Sequence, residues 1–214
     1  PLPVSNMRLS DCIRHWLTRV QRRVDEVTYL GYLHTAEKQV LPYFDASGLT
    51  LRDCTVKALQ DYFDEKSNGG RLDGKGGLSA KTMRHHRNII RQALAEAVKE
   101  GLMTNNPCEY VELPRHERYE ATFYSAEQLQ KLFDVMKDAP MLPLVKITAL
   151  YGLRRSEVLG LKWDSVDFDN NCLLIRHTVC KMMTRIEKDK TKTQSSRRSF
   201  PLTLEARSIF LAAK

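Results

Sequence analysis

Most of the familiar signatures of enzyme chemistry are missing from this 214-residue sequence. It holds no HExxH, GxGxxG, GxxxxGKS/T, GxSxG or EF-hand pattern, which removes the usual sequence signals for a zinc protease, a dinucleotide fold, a P-loop, a hydrolase elbow and a calcium loop. The histidines do not cluster at metal-ligand spacing. His85 and His86 are adjacent and point about 100° apart on a helix, with His86 toward the core side and structural. The five cysteines, Cys12, Cys54, Cys108, Cys172 and Cys180, are odd in number and scattered without a CxxC pair. Neither a zinc site nor a disulfide framework is expected, and a reducing cytosol fits best. No apolar run approaches the roughly 18 residues of a membrane span, and no signal peptide is visible. Neither a membrane span nor a zinc site is therefore expected.

Positive charge is what the sequence does have. Lys+Arg 34 against Asp+Glu 26 gives +8 and a pI near 9.3. That balance points to a polyanionic partner, nucleic acid before acidic membrane. Hydrophobic content of 42% supports a real core. The chain begins with Pro1 and ends inside the apolar periodic stretch EARSIFLAAK, so a piece of a longer protein is expected.

The first half reads as helices. In MRLSDCIRHWLTRVQRR, residues 7–23, Leu9, Ile13, Trp16, Leu17 and Val20 share one face, and arginines make the exposed surface basic. A second helix fits 27–40, with Pro42 ending it. A third follows Thr55 as N-cap, and NGGRLDGKGG, 68–77, is a glycine-rich loop. The fourth helix runs from an N-cap at Ser79 to a stop at Gly101. Met83, Ile90, Ala93, Leu94, Ala97 and Val98 form its apolar face. Lys81, Thr82, Arg84, His85, Asn88, Arg91, Gln92 and Lys99 lie elsewhere around it. A solvated polar face is the bland explanation. Four cations with amides and only Glu96 at the edge suit duplex DNA better, because cations bind phosphate and amides read base edges.

Residues 105–125 contain two prolines and a charged run, the mark of an extended linker. We divide the chain into a helical domain over 1–113, a linker over 114–122 and a second domain over 123–214. Ser125 opens a helix with a capping box to Gln128. The helix LPLVKITALY runs into Gly152, and another begins at Arg154. The period then changes. NNCLLIRHTV, entered through the turn DFDNN, then CKMMTRIEK and RSFPLT, predict a three-stranded antiparallel sheet. The fold class is thus mainly α in the first domain and α+β in the second.

Two features could carry chemistry. Arg154, followed by Arg155, stands where the helix macrodipole is positive and gives a cation no help. A basic hairpin tip contains Lys190, Lys192 and Arg197. An arginine gripping two non-bridging oxygens and a lysine protonating a leaving oxygen would suit phosphoryl transfer. Equally, Arg154 could simply pair with Glu157 at i,i+3, and Lys192 could be a solvated tip.

GLRRSEVLGLKWDSVDFDNNCLLI followed by KTQSSRRSFPL resembles the tyrosine recombinase family of the phage integrase type. LSAKTMRHHRNIIRQALAEAVKEGLMTNNP resembles the SAM-like core-binding domain of the same family. The similarity runs over most of 7–211 and is nearest in style to integrases of prophages and conjugative transposons. It implies DNA cleavage by a tyrosine that becomes linked to a 3′-phosphate, without a metal or nucleotide. It implies that Arg154 holds the scissile phosphate, that Glu157 buttresses it, and that Lys192 is the general acid, with Lys190 the alternative register. Arg155, Lys190 and Arg197 join the helix residues as DNA contacts. The expected partners are double-stranded DNA and further copies of the protein, four on two DNA sites. The expected location is the bacterial cytoplasm, on the nucleoid. Tyr151 stands where the family often has a small hydroxyl residue and receives no role. The second catalytic cluster and the nucleophilic tyrosine are expected beyond residue 214, so this stretch alone should be inactive. A DNA-binding regulator without chemistry and a type IB topoisomerase are the rival readings.

Overall fold

The computed structural model describes residues 5–115, 120–181, 185–188 and 198–214. The chain forms two compact units, Pro1–Tyr119 and Glu120–Lys214.

The first unit is helical. Helix α1, Leu9–Val20, sinks Leu9, Ile13, Trp16, Leu17 and Val20, the stripe that the spacing predicts, and packs on α5. Helix α2, Glu26–Thr35, is capped by Asp25, which accepts from the Val27 N–H at 3.0 Å. Pro42 does not end the helical run, contrary to the sequence expectation. A π turn over Ala36–Val40 leads directly into α3, Leu41–Ser47. The wider turn restarts the hydrogen-bond ladder, so Pro42 falls in the first turn of α3, where its missing N–H would be unpaired anyway. Helix α4, Val56–Gly69, starts at the Thr55 cap. Helix α5, Ala80–Lys99, starts at Ser79, whose hydroxyl accepts from the Thr82 N–H at 3.2 Å. Its buried residues are those of the expected face, with His86 on the core side as expected, Ile89 added and Val98 only part-buried.

Burial pushes the Cys12, Cys54 and Cys108 thiols up to about 12. All three are core residues with no thiolate to offer near neutral pH.

The second unit opens with α6, Ala126–Val135, closed by the expected capping box between Ser125 and Gln128. Helix α7, Leu142–Tyr151, buries only Ile147 completely. It ends at Gly152, whose φ of +59° is a left-handed cap that a side chain would strain. Leu153 then drops into the core at 5% exposure, and the short helix α8, Arg155–Val158, begins. Gly160 follows. A Cβ there would stand 2.7 Å from the Thr178 Cα and 2.8 Å from the His177 carbonyl oxygen, so glycine is what lets the end of α8 lie against strand backbone.

The strands are β1, Val166–Asp167; β2, Cys172–Ile175; β3, Thr178–Lys181; β4, Arg185–Lys188; and β5, Arg198–Pro201. A three-stranded antiparallel sheet is present, but its order is β1-β2-β5. The stretch predicted as its second strand instead folds back in a separate β3-β4 ladder, which also takes Thr178 and Val179 from the end of the predicted first strand, with Thr178 opposite Lys188 and Lys181 opposite Arg185. Strand β2 therefore meets β5, with Ile175 opposite Arg198 and Leu173 opposite Phe200. Asp167 builds the β1-β2 turn by accepting from the Asp169 and Asn170 N–H groups. Helix α9, Leu204–Ala213, closes the unit and adds Ala206 and Phe210 to a core of Ile147, Leu153, Val158, Leu173, Ile175 and Leu202.

Candidate functional site

In the first unit the candidate surface is the polar side of α5. Lys81, Arg84, His85 and Arg91 are exposed there, and Thr82 and Asn88 are half-buried. The Thr82 hydroxyl sits 3.0 Å from that of Ser79, so it belongs partly to the cap. Arg87, on the same helix, is structural. Its guanidinium donates to the Cys108 and Glu109 carbonyl oxygens at 3.2 and 2.8 Å. Among the described residues, Lys81, Arg84 and Arg91 form no ion pair.

Helix α1 differs. Its expected basic face is largely neutralised: Arg14 pairs with Asp11 and Asp45, and Arg19 pairs with Glu96 and Glu100. Arg23, just beyond the helix, also reaches Glu96. Burial works against the Glu96 charge, but the hydrogen bonds from Arg19 and Arg23 outweigh it and hold the carboxyl below its usual range. The acid at the edge of the α5 face is thus occupied by α1, which leaves the α5 cations unopposed. An exposed, unpaired group of cations on a regular helix is a surface that attracts a polyanion.

In the second unit the chemistry gathers on Glu157. This carboxylate is 2% exposed. Its Oε2 accepts from the Arg154 backbone N–H at 2.8 Å, and its Oε1 accepts from Arg154 Nη1 at 2.9 Å. The first bond caps α8, and the second holds the guanidinium. The Arg154 side chain nevertheless remains 65% exposed. Two further bonds come from β5. Arg198 Nη1 donates to Oε1 at 3.1 Å and Arg198 Nη2 to Oε2 at 2.9 Å, a two-pronged fork on one carboxylate. Burial alone would raise the Glu157 carboxyl. The hydrogen bonds from Arg198 and from the Arg154 N–H and guanidinium outweigh it, and the group stays ionised to lower pH than an ordinary glutamate.

The Arg154–Glu157 pair answers to the sequence reading. Arg198 does not figure in that reading as a site residue. A signal exists: two-residue alternation along RSFP puts Arg198 on the same strand face as Phe200, and its guanidinium lies 5.3 Å from that ring. A cation on the half-buried face of a strand needs an anion, and Glu157 is that anion. Arg155 is exposed in the first turn of α8. Lys190, Lys192 and Arg197 lie outside the described residues. Tyr151 has a structural place. Its hydroxyl donates to the Pro201 carbonyl at 3.1 Å and accepts from the Thr203 N–H at 3.2 Å, which ties α7 to the start of α9. Among the described residues, no group of three or more His, Cys, Asp or Glu could hold a metal, and no helix is long and apolar enough to cross a membrane.

Residues 9–113 match the family of the phage integrase SAM-like domain. Over 92% of its length, the chain is 26% identical to a tyrosine recombinase XerC-like protein of Caldanaerobacter subterraneus subsp. tengcongensis. The chain's sequence similarity thus falls on tyrosine recombinases and phage integrases. It spans about half, 52%, of that relative's length. The fold is shared with the Tn1549 transposon integrase, solved in complex with a circular intermediate DNA (TM-score 0.73, 18% identity, 96% of this chain and 64% of that one). It is also shared with lambda integrase, solved as a tetramer bound to a Holliday junction (TM-score 0.68, 15% identity, 95% and 55%). The SAM-like match covers the helices of the first unit, and the Glu157 cluster lies wholly in the second.

Proposed function

We propose that this chain is part of a site-specific DNA recombinase that cuts and rejoins duplex DNA through a 3′-phosphotyrosyl intermediate, for integration or excision of a mobile element. The observation that carries the reading is Arg154: a solvent-facing guanidinium whose position is fixed from behind by a buried carboxylate. That is the form a phosphate-binding group takes when it must be pre-set before substrate arrives. Charge-assisted contact with a phosphodiester outweighs the unfavourable helix dipole, which is worth only about 0.3–1 kcal/mol. Lys192 serves as general acid toward the leaving 5′-oxygen, and the nucleophilic tyrosine comes from sequence beyond residue 214. No cofactor is needed, because the phosphotyrosyl ester keeps the energy of the broken phosphodiester. Residues 1–113 serve as the core-binding domain and 123–214 as the first part of the catalytic domain, joined by 114–122. Helix α5 binds the duplex through Lys81, Arg84, His85, Asn88 and Arg91, with Thr82 at its start. Arg155, Lys190 and Arg197 add phosphate contacts. The working assembly is four copies on two DNA sites, on the bacterial nucleoid.

The deciding experiment extends the protein past residue 214 to its full parent and replaces Arg154 by lysine. Lysine keeps the charge and loses the fork. Covalent protein–DNA adduct is expected to fall at least about 100-fold, with DNA affinity nearly unchanged. A protein that forms no adduct in either version is a regulator. Relaxation of supercoiled DNA of any sequence would make it a topoisomerase.

Binding itself is testable on residues 1–214. Titration with a fluorescent duplex between about 50 and 200 mM salt should show steeply falling affinity as counterions are released. Replacing Lys81, Arg84 and Arg91 together by glutamine should reduce the log–log salt slope by about 3, one for each phosphate that a cation no longer neutralises. An unchanged slope would place the interface elsewhere.

A further inference from the structure

We infer that Arg198 is a positioning residue for the cleavage reaction, acting through Glu157 on Arg154; the inference rests on the reading that Arg154 holds the scissile phosphate. Glu157 has two oxygens, and both are shared. Each accepts one bond from Arg154 and one from Arg198. With Arg154 alone, a carboxylate at 2% exposure would be held only from its own short helix, by the Arg154 N–H and by a guanidinium that is itself well exposed. The Arg198 fork adds a hold on both oxygens from outside α8, so the carboxylate is tied to a strand residue as well as to its own helix. Arg198 is in turn held by its place opposite Ile175 in the β2-β5 ladder and by the Phe200 ring. The direction of the Arg154 guanidinium is thereby referred to the sheet as well as to a four-residue helix.

The two arginines are not equivalent. Arg154 leaves 65% of its side chain to solvent and can receive an anion, whereas Arg198 leaves 28% and spends its fork on Glu157. Two cations on one carboxylate also leave the cluster with net positive charge, which favours an incoming phosphate without a second anion to repel it.

The test uses the full parent protein and a duplex carrying the DNA that flanks its own gene. Single-turnover adduct formation at saturating DNA, dissociation constant and melting temperature are measured for Arg198→Ala, Arg198→Lys and Arg154→Lys. Arg198→Ala is expected to slow adduct formation about 10- to 100-fold, the cost of a small misplacement of a catalytic group, with the dissociation constant within about twofold. Arg198→Lys, which keeps the charge but reaches one oxygen, should fall between Arg198→Ala and the parent at an unchanged melting temperature; it carries the test if the alanine variant does not fold. Full-rate cleavage by a folded Arg198 variant overturns the inference. So does a loss of rate that only tracks a loss of melting temperature. If Arg154→Lys itself cleaves at full rate, the phosphate-holding role of Arg154 is what has failed.

Discussion

Replacing Glu157 by alanine should destabilise the second unit by about 2–3 kcal/mol. Among the described residues four hydrogen bonds end on this carboxylate, but they do not count equally. The guanidinium of Arg154 is well exposed, and solvent screening limits that pair to under about 1 kcal/mol. The bond to the Arg154 N–H is a helix cap, typically about 1 kcal/mol. The Arg198 fork is the best shielded, and a charged hydrogen bond of this kind contributes about 1.5–3 kcal/mol. These contributions overlap, because removing the carboxylate lets both guanidiniums relax toward water. Glu157→Gln should cost less, since its amide oxygen can keep the cap while its NH2 group faces a donor. The two units need not unfold together, so one transition cannot be assumed. The sequence helps here: it has one tryptophan in each unit, Trp16 and Trp163. In a Trp16→Phe background, urea unfolding followed by Trp163 fluorescence reads the second unit alone. The pH sign is also set. The folded carboxyl sits below the ordinary glutamate value of 4.5, so its stabilisation is present above that value and is lost as pH falls through the folded one. Glu157→Gln should remove that acid dependence, and a variant that unfolds like its parent at every pH would refute the clamp.

Acidification from pH 6.5 to about 4 should weaken the first unit by up to about 3 kcal/mol through His86. This ring is completely buried. Its Nδ1 lies 2.8 Å from the Tyr62 hydroxyl, and its Nε2 has no partner among the described residues. Burial, then the nearby charges of Lys66 and His85, lower its pKa from 6.5 to about 4. The unfolded chain therefore binds a proton that the folded chain refuses. Stability is full above 6.5 and falls through the window, by about 1.4 kcal/mol for each pH unit descended. Unfolding followed by Trp16 fluorescence in a Trp163→Phe background measures it. His86→Phe combined with Tyr62→Phe removes the imidazole and its hydroxyl partner together, avoids an orphaned hydroxyl, and should flatten the profile between pH 4 and 6.5. A parent profile already flat there would mean that the ring protonates inside the fold.

What can be read from the sequence is mostly local. The stripe of α1, the caps at Thr55, Ser79 and Ser125 and the i,i+3 reach from Arg154 to Glu157 all depend on neighbours within a turn of helix, where spacing fixes geometry. The errors are non-local. CKMMTRIEK alternates well enough for one strand, and nothing in its own residues says that it joins Thr178 and Val179 in a ladder of its own while RSFP crosses to β2. Strand preference reports a fit to a pleated surface, not the identity of the partner. Arg198 stays hidden for the same reason, because its anion lies 41 residues earlier. The π turn before Pro42 rescues a residue that helix rules treat as a stop. His86 does lie on the core side of its helix, as its spacing predicts, but its partner Tyr62 on α4 is not foreseeable from α5. Lys190, Lys192 and Arg197 fall outside the described residues, so their roles rest on the family resemblance.

The separation of the two ladders has a consequence for how this part of the molecule can vary. The backbone leaves β4 in one ladder and enters β5 in the other, so neither pairing register depends on how many residues lie between Lys188 and Arg198. Insertions and deletions there shift no side chain from one sheet face to the other, and doubling the span adds only about 0.6 kcal/mol of closure entropy.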